Sequence, residues 1–176
     1  MRDVEGVLTL RSEAAGDVSA LRRIVEKLRT PPEQLRVLSS SDPVVAATAF
    51  ELHNYYCVCE NLMRRVAAAF ENALEPNAWH EQLLRRMSLD ISDVRPALID
   101  AALRAQLDEL RTFRHFFRNA YDRPLHPGKV ADMVVLLLAA HGPWLGAVQR
   151  FRMTWDLPLP VGRTTRGFVR RARRCA

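Results

Sequence analysis

Apolar residues recur every three or four positions along most of the chain, and no stretch alternates apolar with polar residues between turn formers. The first pattern winds a buried stripe onto a helix, whereas a half-buried strand would need the second. The chain is therefore predicted to be all-α. A first helix is expected over about 12–29, with Val18, Leu21, Ile24, Val25 and Leu28 on one side and "TPPEQ" as its stop. A second starts at "SSSDPVV", where Asp42 can cap and Pro43 suits the first turn, and runs to about residue 73. Asn77 can cap a short helix over 77–87. The next begins at about 96 or 100 and runs to 121, with Leu103, Leu107 and Leu110 on a shared side. The last spans about 129–153, bent or broken at Gly142 and Pro143. Short connections between long elements imply an up-and-down bundle of about five helices. The bundle is expected to occupy 1–155, followed by a basic, flexible arm over 156–176.

Charge placement narrows the function classes more than total charge does. The formal net charge is +6, with 26 Lys and Arg against 20 Asp and Glu. No acidic residue follows Asp156, while Arg163, Arg166, Arg170, Arg171, Arg173 and Arg174 all lie beyond it, so the body alone is formally neutral. Such an arm attracts an anionic polymer over long range, or simply solubilises the chain.

Cysteines number three, with Cys57 and Cys59 pointing apart on a helix, which implies reduced thiols and neither a disulfide framework nor a metal site. The charged N-terminal segment lacks the apolar core of a secretion signal, so a cytoplasmic location is expected. The apolar run 133–140 is far shorter than the roughly 20 residues of a membrane span, and no membrane association is expected. Glycine-rich phosphate loops, paired metal carboxylates and serine-triad patterns are absent from the sequence, and no cofactor is expected.

The stretch "RTFRHFFRNAY", residues 111–121, carries the chemistry. On a helical wheel Arg111, Arg114, His115, Arg118 and Asn119 share one arc, and Phe113, Phe116, Phe117 and Ala120 take the opposite one. The phenylalanines would anchor the helix, leaving the arginines open to a phosphate, which their planar fork suits. Tyr121 can stack on a base or donate a hydrogen bond. Two other readings compete with this one. The arc can be an ordinary solvated face partly neutralised by Asp108 and Glu109, or a set of internal ion pairs.

Several ordered blocks over about 44–148 resemble the HepT-like branch of the HEPN superfamily, small helical ribonuclease toxins encoded beside a minimal nucleotidyltransferase antitoxin. They are "FELHNYYCVCENL", "WHEQLLRRMSLDISDVRP", "LDELRTFRHFFRNAY" and "RPLHPGKV". The resemblance implies a homodimer with RNA in a cleft, and catalysis without metal by an arginine, four intervening residues, a histidine, one residue and a tyrosine. Arg114 matches the arginine and Tyr121 the tyrosine, but Asn119 stands at the histidine position. An amide can orient water or hold a phosphate oxygen, yet it cannot exchange a proton near neutral pH as imidazole does. His115, one turn earlier, is the substitute offered by the motif itself. Arg111 and Arg118 would hold flanking phosphates, and Tyr121 matches a tyrosine that the partner nucleotidyltransferase modifies with AMP. The resemblance thus implies an RNA-directed protein, either an impaired endoribonuclease or a module that binds RNA or the nucleotidyltransferase without catalysis.

Other residues read more blandly. His126 can fold back toward the arc from its loop, Trp79 is an anchor and His80 a surface or capping group. His53, Tyr55 and Tyr56 read as packing on the long helix. Glu60, on the same helix, is placed to pair with an arginine of the arc.

Overall fold

The computed structural model describes residues 4–70, 79–92, 94–119 and 124–154. Six helices hold about four fifths of them: α1 (Val4–Lys27), α2 (Pro32–Arg36), α3 (Pro43–Phe70), α4 (Trp79–Met87), α5 (Ala101–Arg118) and α6 (Pro127–Met153). Among the described residues there is no strand, only one isolated bridge between Ile91 and Arg95. The all-α expectation holds.

Local chemistry explains most of the boundaries. Asp42 accepts the backbone N–H of Val44 at 2.8 Å and so caps α3 ahead of Pro43, as the sequence implies. Asp100 accepts from Leu103 N at 2.8 Å and fixes the start of α5. Two expectations are corrected. "PPEQLR" does not merely stop the first helix: its prolines begin the extra turn α2, because a proline in the first turn forfeits no intrahelical hydrogen bond. Likewise Gly142 and Pro143 do not break α6, which runs through both. Pro143 cannot donate to the carbonyl four residues earlier, but Ala139 is exposed, so water can satisfy that oxygen. The first helix also starts earlier than residue 12, and the proposed cap Asn77 lies outside the described residues.

Helix α3 is the hub. α1 crosses it in antiparallel sense: Lys27 meets Glu51 at 2.9 Å, while Arg65 pairs with Glu13 at 3.1 Å and with Asp17. On another side Tyr55 buries its ring and its hydroxyl meets His141 Nδ1 of α6 at 3.0 Å. Burial holds the Tyr55 phenol well above its ordinary range.

Helix α6 is longer and more apolar than the 133–140 run suggested, enough by length and composition to cross a membrane. Its Val130, Val134, Leu137, Ala140, Trp144, Val148 and Phe151 are nevertheless buried in the bundle core. It is a core helix that leaves Val135 and Leu138 exposed.

The corner between α4 and α5 is set by Arg95. Its buried guanidinium donates to the carbonyl oxygens of Arg86, Leu89 and Pro96 at 2.8, 3.2 and 3.2 Å. A buried arginine bound to three carbonyls fixes both chain directions, and so aims α5 against α3.

Candidate functional site

The side chains with chemistry on them meet along the α3–α5 seam. On α3, His53, Tyr56, Cys57 and Glu60 fall at intervals of three, four and seven residues and share one face. Arg114, Phe117 and Arg118 do the same on α5. The helices run antiparallel: Glu60 and Cys57 meet Arg114, and His53 lies one turn further along against Phe117, ring centroids 5.3 Å apart.

Arg114 is held from three directions. Its Nη2 reaches Glu60 Oε2 at 3.1 Å, its Nε donates to Cys57 Sγ at 3.3 Å, and its guanidinium lies 5.9 Å from the Tyr56 ring centroid. The side chain is 14% exposed, whereas Glu60 is only 3% exposed. The expectation of an open arc opposite an aromatic one is therefore corrected. Arg114 follows Leu103, Leu107 and Leu110 at steps of four, three and four, so it sits at the centre of the buried stripe. Phe116, placed among the anchors by the wheel, is 40% exposed. The pairing anticipated for Glu60 is present.

The remaining motif positions differ in setting. Arg111 Nε binds Asp108 Oδ1 at 2.7 Å, one turn earlier on its own helix. A half-open groove of about 430 Å³ between α4 and α5, whose lining includes Arg85, Arg104 and Asp108, continues from there. Arg118 is exposed and makes no hydrogen bond or ion pair among the described residues. His115 is exposed. Asn119 ends α5, and its Nδ2 donates to the His115 carbonyl at 2.8 Å and lies 3.5 Å from His115 Nε2. The amide is thus spent largely on capping its own helix. His126 is exposed in the connector before α6. Tyr121 and the side chains of Trp79 and His80 lie outside the described residues.

Two neighbours of Arg114, Tyr56 and His53, do more than the packing that the sequence suggests for them. The Tyr56 hydroxyl is buried without a hydrogen-bond partner among the described residues, and its phenol is held above the ordinary range by burial and by Glu60. His53 has a buried Nδ1 with no partner among the described residues, while its Nε2 lies 3.5 Å from Cys57 Sγ. Burial, then the charges of Arg114 and Arg118, lower its affinity for a proton against an opposing pull from Glu60. The neutral form of the His53 ring is therefore favoured. Cys59, two residues from Cys57, points instead into the core, where burial pushes its thiol well up.

A depressed imidazole, two orphaned polar atoms and a clamped guanidinium in one seam form a concentration of polar cost that a merely structural contact rarely carries. The sequence signal for it was available in His53-x3-Cys57-x2-Glu60, one helical face opposite the arginine stripe. Among the described residues no three metal-ligating side chains come together.

Neither the curated proteins nor the solved structures include a match to this chain. The HepT-like protein family matches residues 47–154, a span that contains the whole α3–α5 seam and all of α6. With that match over more than half its length and an all-helical bundle beneath it, the chain belongs to the HepT-like family of the HEPN superfamily.

Proposed function

We propose that the α3–α5 seam binds the phosphodiester backbone of RNA and cleaves it slowly without a metal. The observation that carries this reading is the clamp on Arg114. A free arginine must be ordered before it can stabilise a crowded phosphate, whereas Glu60 and Cys57 already hold this one, whose side chain stays 14% exposed. Arg118, one turn on, exposed and without a partner among the described residues, supplies charge for a flanking phosphate. Arg111, tied to Asp108, contributes less than the motif reading assigned to it.

HepT-like proteins typically form dimers and pair with nucleotidyltransferase antitoxins. For this chain a homodimer with two seams across a cleft is part of the proposal. So are a nucleotidyltransferase partner, Tyr121 as the residue it modifies, a toxin role and the arginine arm as an RNA tether in the cytoplasm. Adding AMP near Arg114 and Arg118 would place negative charge where substrate phosphate has to sit.

A second reading has a specific observation behind it. Glu60–Arg114 and Asp108–Arg111 are internal ion pairs, which is what a seam serving only to join α3 to α5 would contain. End-labelled single-stranded RNA incubated with the protein in EDTA separates the two. The RNA-cleaving reading expects slow cleavage that falls about tenfold in Arg118→Glu, a surface change that leaves the melting temperature unaltered. Intact RNA with both proteins leaves the structural reading, or a binding module without catalysis, in place.

A further inference from the structure

Asn119 leaves the motif's histidine position without an imidazole, yet one stands on the facing helix against Phe117, two residues before Asn119. Because α3 and α5 are antiparallel, moving from Arg114 toward Asn119 on α5 means moving from Glu60 through Cys57 to His53 on α3. His53 packs on Phe117, between the turns that carry Arg114 and Arg118. The Cys57 thiol bridges the two groups, 3.3 Å from Arg114 Nε and 3.5 Å from His53 Nε2. Since Nδ1 is enclosed, a substrate can reach the ring only through Nε2, whose present partner is a weakly bonding thiol that a hydroxyl displaces at small cost.

We propose that His53 is the general base of this seam, acting on the 2′-hydroxyl of an RNA whose adjacent phosphate is held by Arg114 and Arg118. The assignment rests on the RNA-cleaving reading above. In the step, His53 Nε2 takes the 2′-hydroxyl proton and O2′ bonds to the neighbouring phosphorus. The bond from phosphorus to the 5′-oxygen breaks, and that oxygen leaves with the bonding pair and takes a proton from water. The imidazolium then returns its proton to the hydroxide so formed. The products are a 2′,3′-cyclic phosphate and a 5′-hydroxyl. Water as the acid makes the reaction slow.

The charged and titratable groups facing His53 among the described residues are Cys57 and Glu60 from its own helix and Arg114 and Arg118 from α5. Burial and the two arginines favour the neutral ring, so the base is available across the neutral range. Cleavage should then fail only as pH drops below the ordinary histidine value.

The experiment measures single-turnover cleavage of labelled RNA in EDTA, together with RNA affinity, for wild type, His53→Gln, His53→Ala and His115→Ala. Both His53 variants are expected to lose about 10²-fold in rate with affinity changed less than about twofold. The acid limb of the pH profile should vanish in His53→Gln and persist in His115→Ala. Wild-type rates in His53→Gln, or the loss appearing in His115→Ala instead, would overturn the assignment while leaving the RNA site standing. A wild-type protein that binds RNA through Arg118 but never cleaves it overturns the assignment and the catalytic half of the reading together.

Discussion

Replacing Arg114 with alanine is expected to destabilise the protein by about 3–5 kcal/mol, the usual cost of removing one partner from a buried ion pair. For a chain of this size that corresponds to a fall in melting temperature of roughly 6 to 20 °C. The asymmetry of the pair sharpens the expectation. Glu60 is 3% exposed on the short side chain of a central helix, so it cannot reach water once Arg114 is gone. Arg114, 14% exposed on a long flexible stem, can turn outward if Glu60 is lost. Glu60→Ala should therefore cost less than Arg114→Ala. Replacing both at once, with Glu60→Leu and Arg114→Met, should cost less than the sum of the two single changes, because the pair is then removed whole instead of being left half-broken. Thermal and urea unfolding of the two single variants and the double variant measure this. Single-variant losses below about 1 kcal/mol, the range of exposed pairs, would mean that the pair is solvated and the clamp does not exist.

The largest gain is expected from Asn119→His. In the proposed scheme His53 handles one proton transfer and water is left with the other, so an imidazole at the motif position supplies the missing acid. A positioned acid or base contributes about 10²- to 10⁴-fold, and cleavage in EDTA should rise by that order. The substitution fits the backbone. Asn119 ends α5 at φ −106° and ψ 6°, a conformation open to any residue, and the loss is its hydrogen bond to the His115 carbonyl. That bond is worth about 1 kcal/mol. An unchanged cleavage rate in a folded Asn119→His protein would place position 119 away from the reacting phosphate and count against the motif alignment.

The fold was largely legible because helical periodicity and caps are local. Asp42, Pro43 and Asp100 mark helix starts that the backbone then adopts. Pro143 misled because a proline argues against a helix only when the freed carbonyl has nowhere to go, and here it faces water. "PPEQLR" misled in the opposite direction, since prolines that end one helix also begin another.

The site was legible only in part. Grouping Arg111, Arg114 and Arg118 by their shared chemistry put them on one open arc. Counting from Leu103, Leu107 and Leu110 puts Arg114 in the buried stripe, where a carboxylate partner becomes obligatory and Glu60 the natural supplier. Sequence patterns show which face a residue takes, but not which residue of another helix stands opposite. His53 becomes interesting only once the antiparallel pairing sets it against Phe117, between the turns of Arg114 and Arg118.

The central claim is that RNA phosphates sit at the α3–α5 seam and not merely anywhere on a basic protein. Its most direct measurement is the salt dependence of single-stranded RNA binding for the full chain, comparing Arg118→Gln with Arg23→Gln, a change on the exposed face of α1. Loss of one phosphate contact lowers the slope of log affinity against log salt by about 0.7. The account predicts that decrease, with a weakening of roughly fivefold at low salt, for Arg118→Gln alone. Equal slopes and equal affinities for the two variants would contradict it.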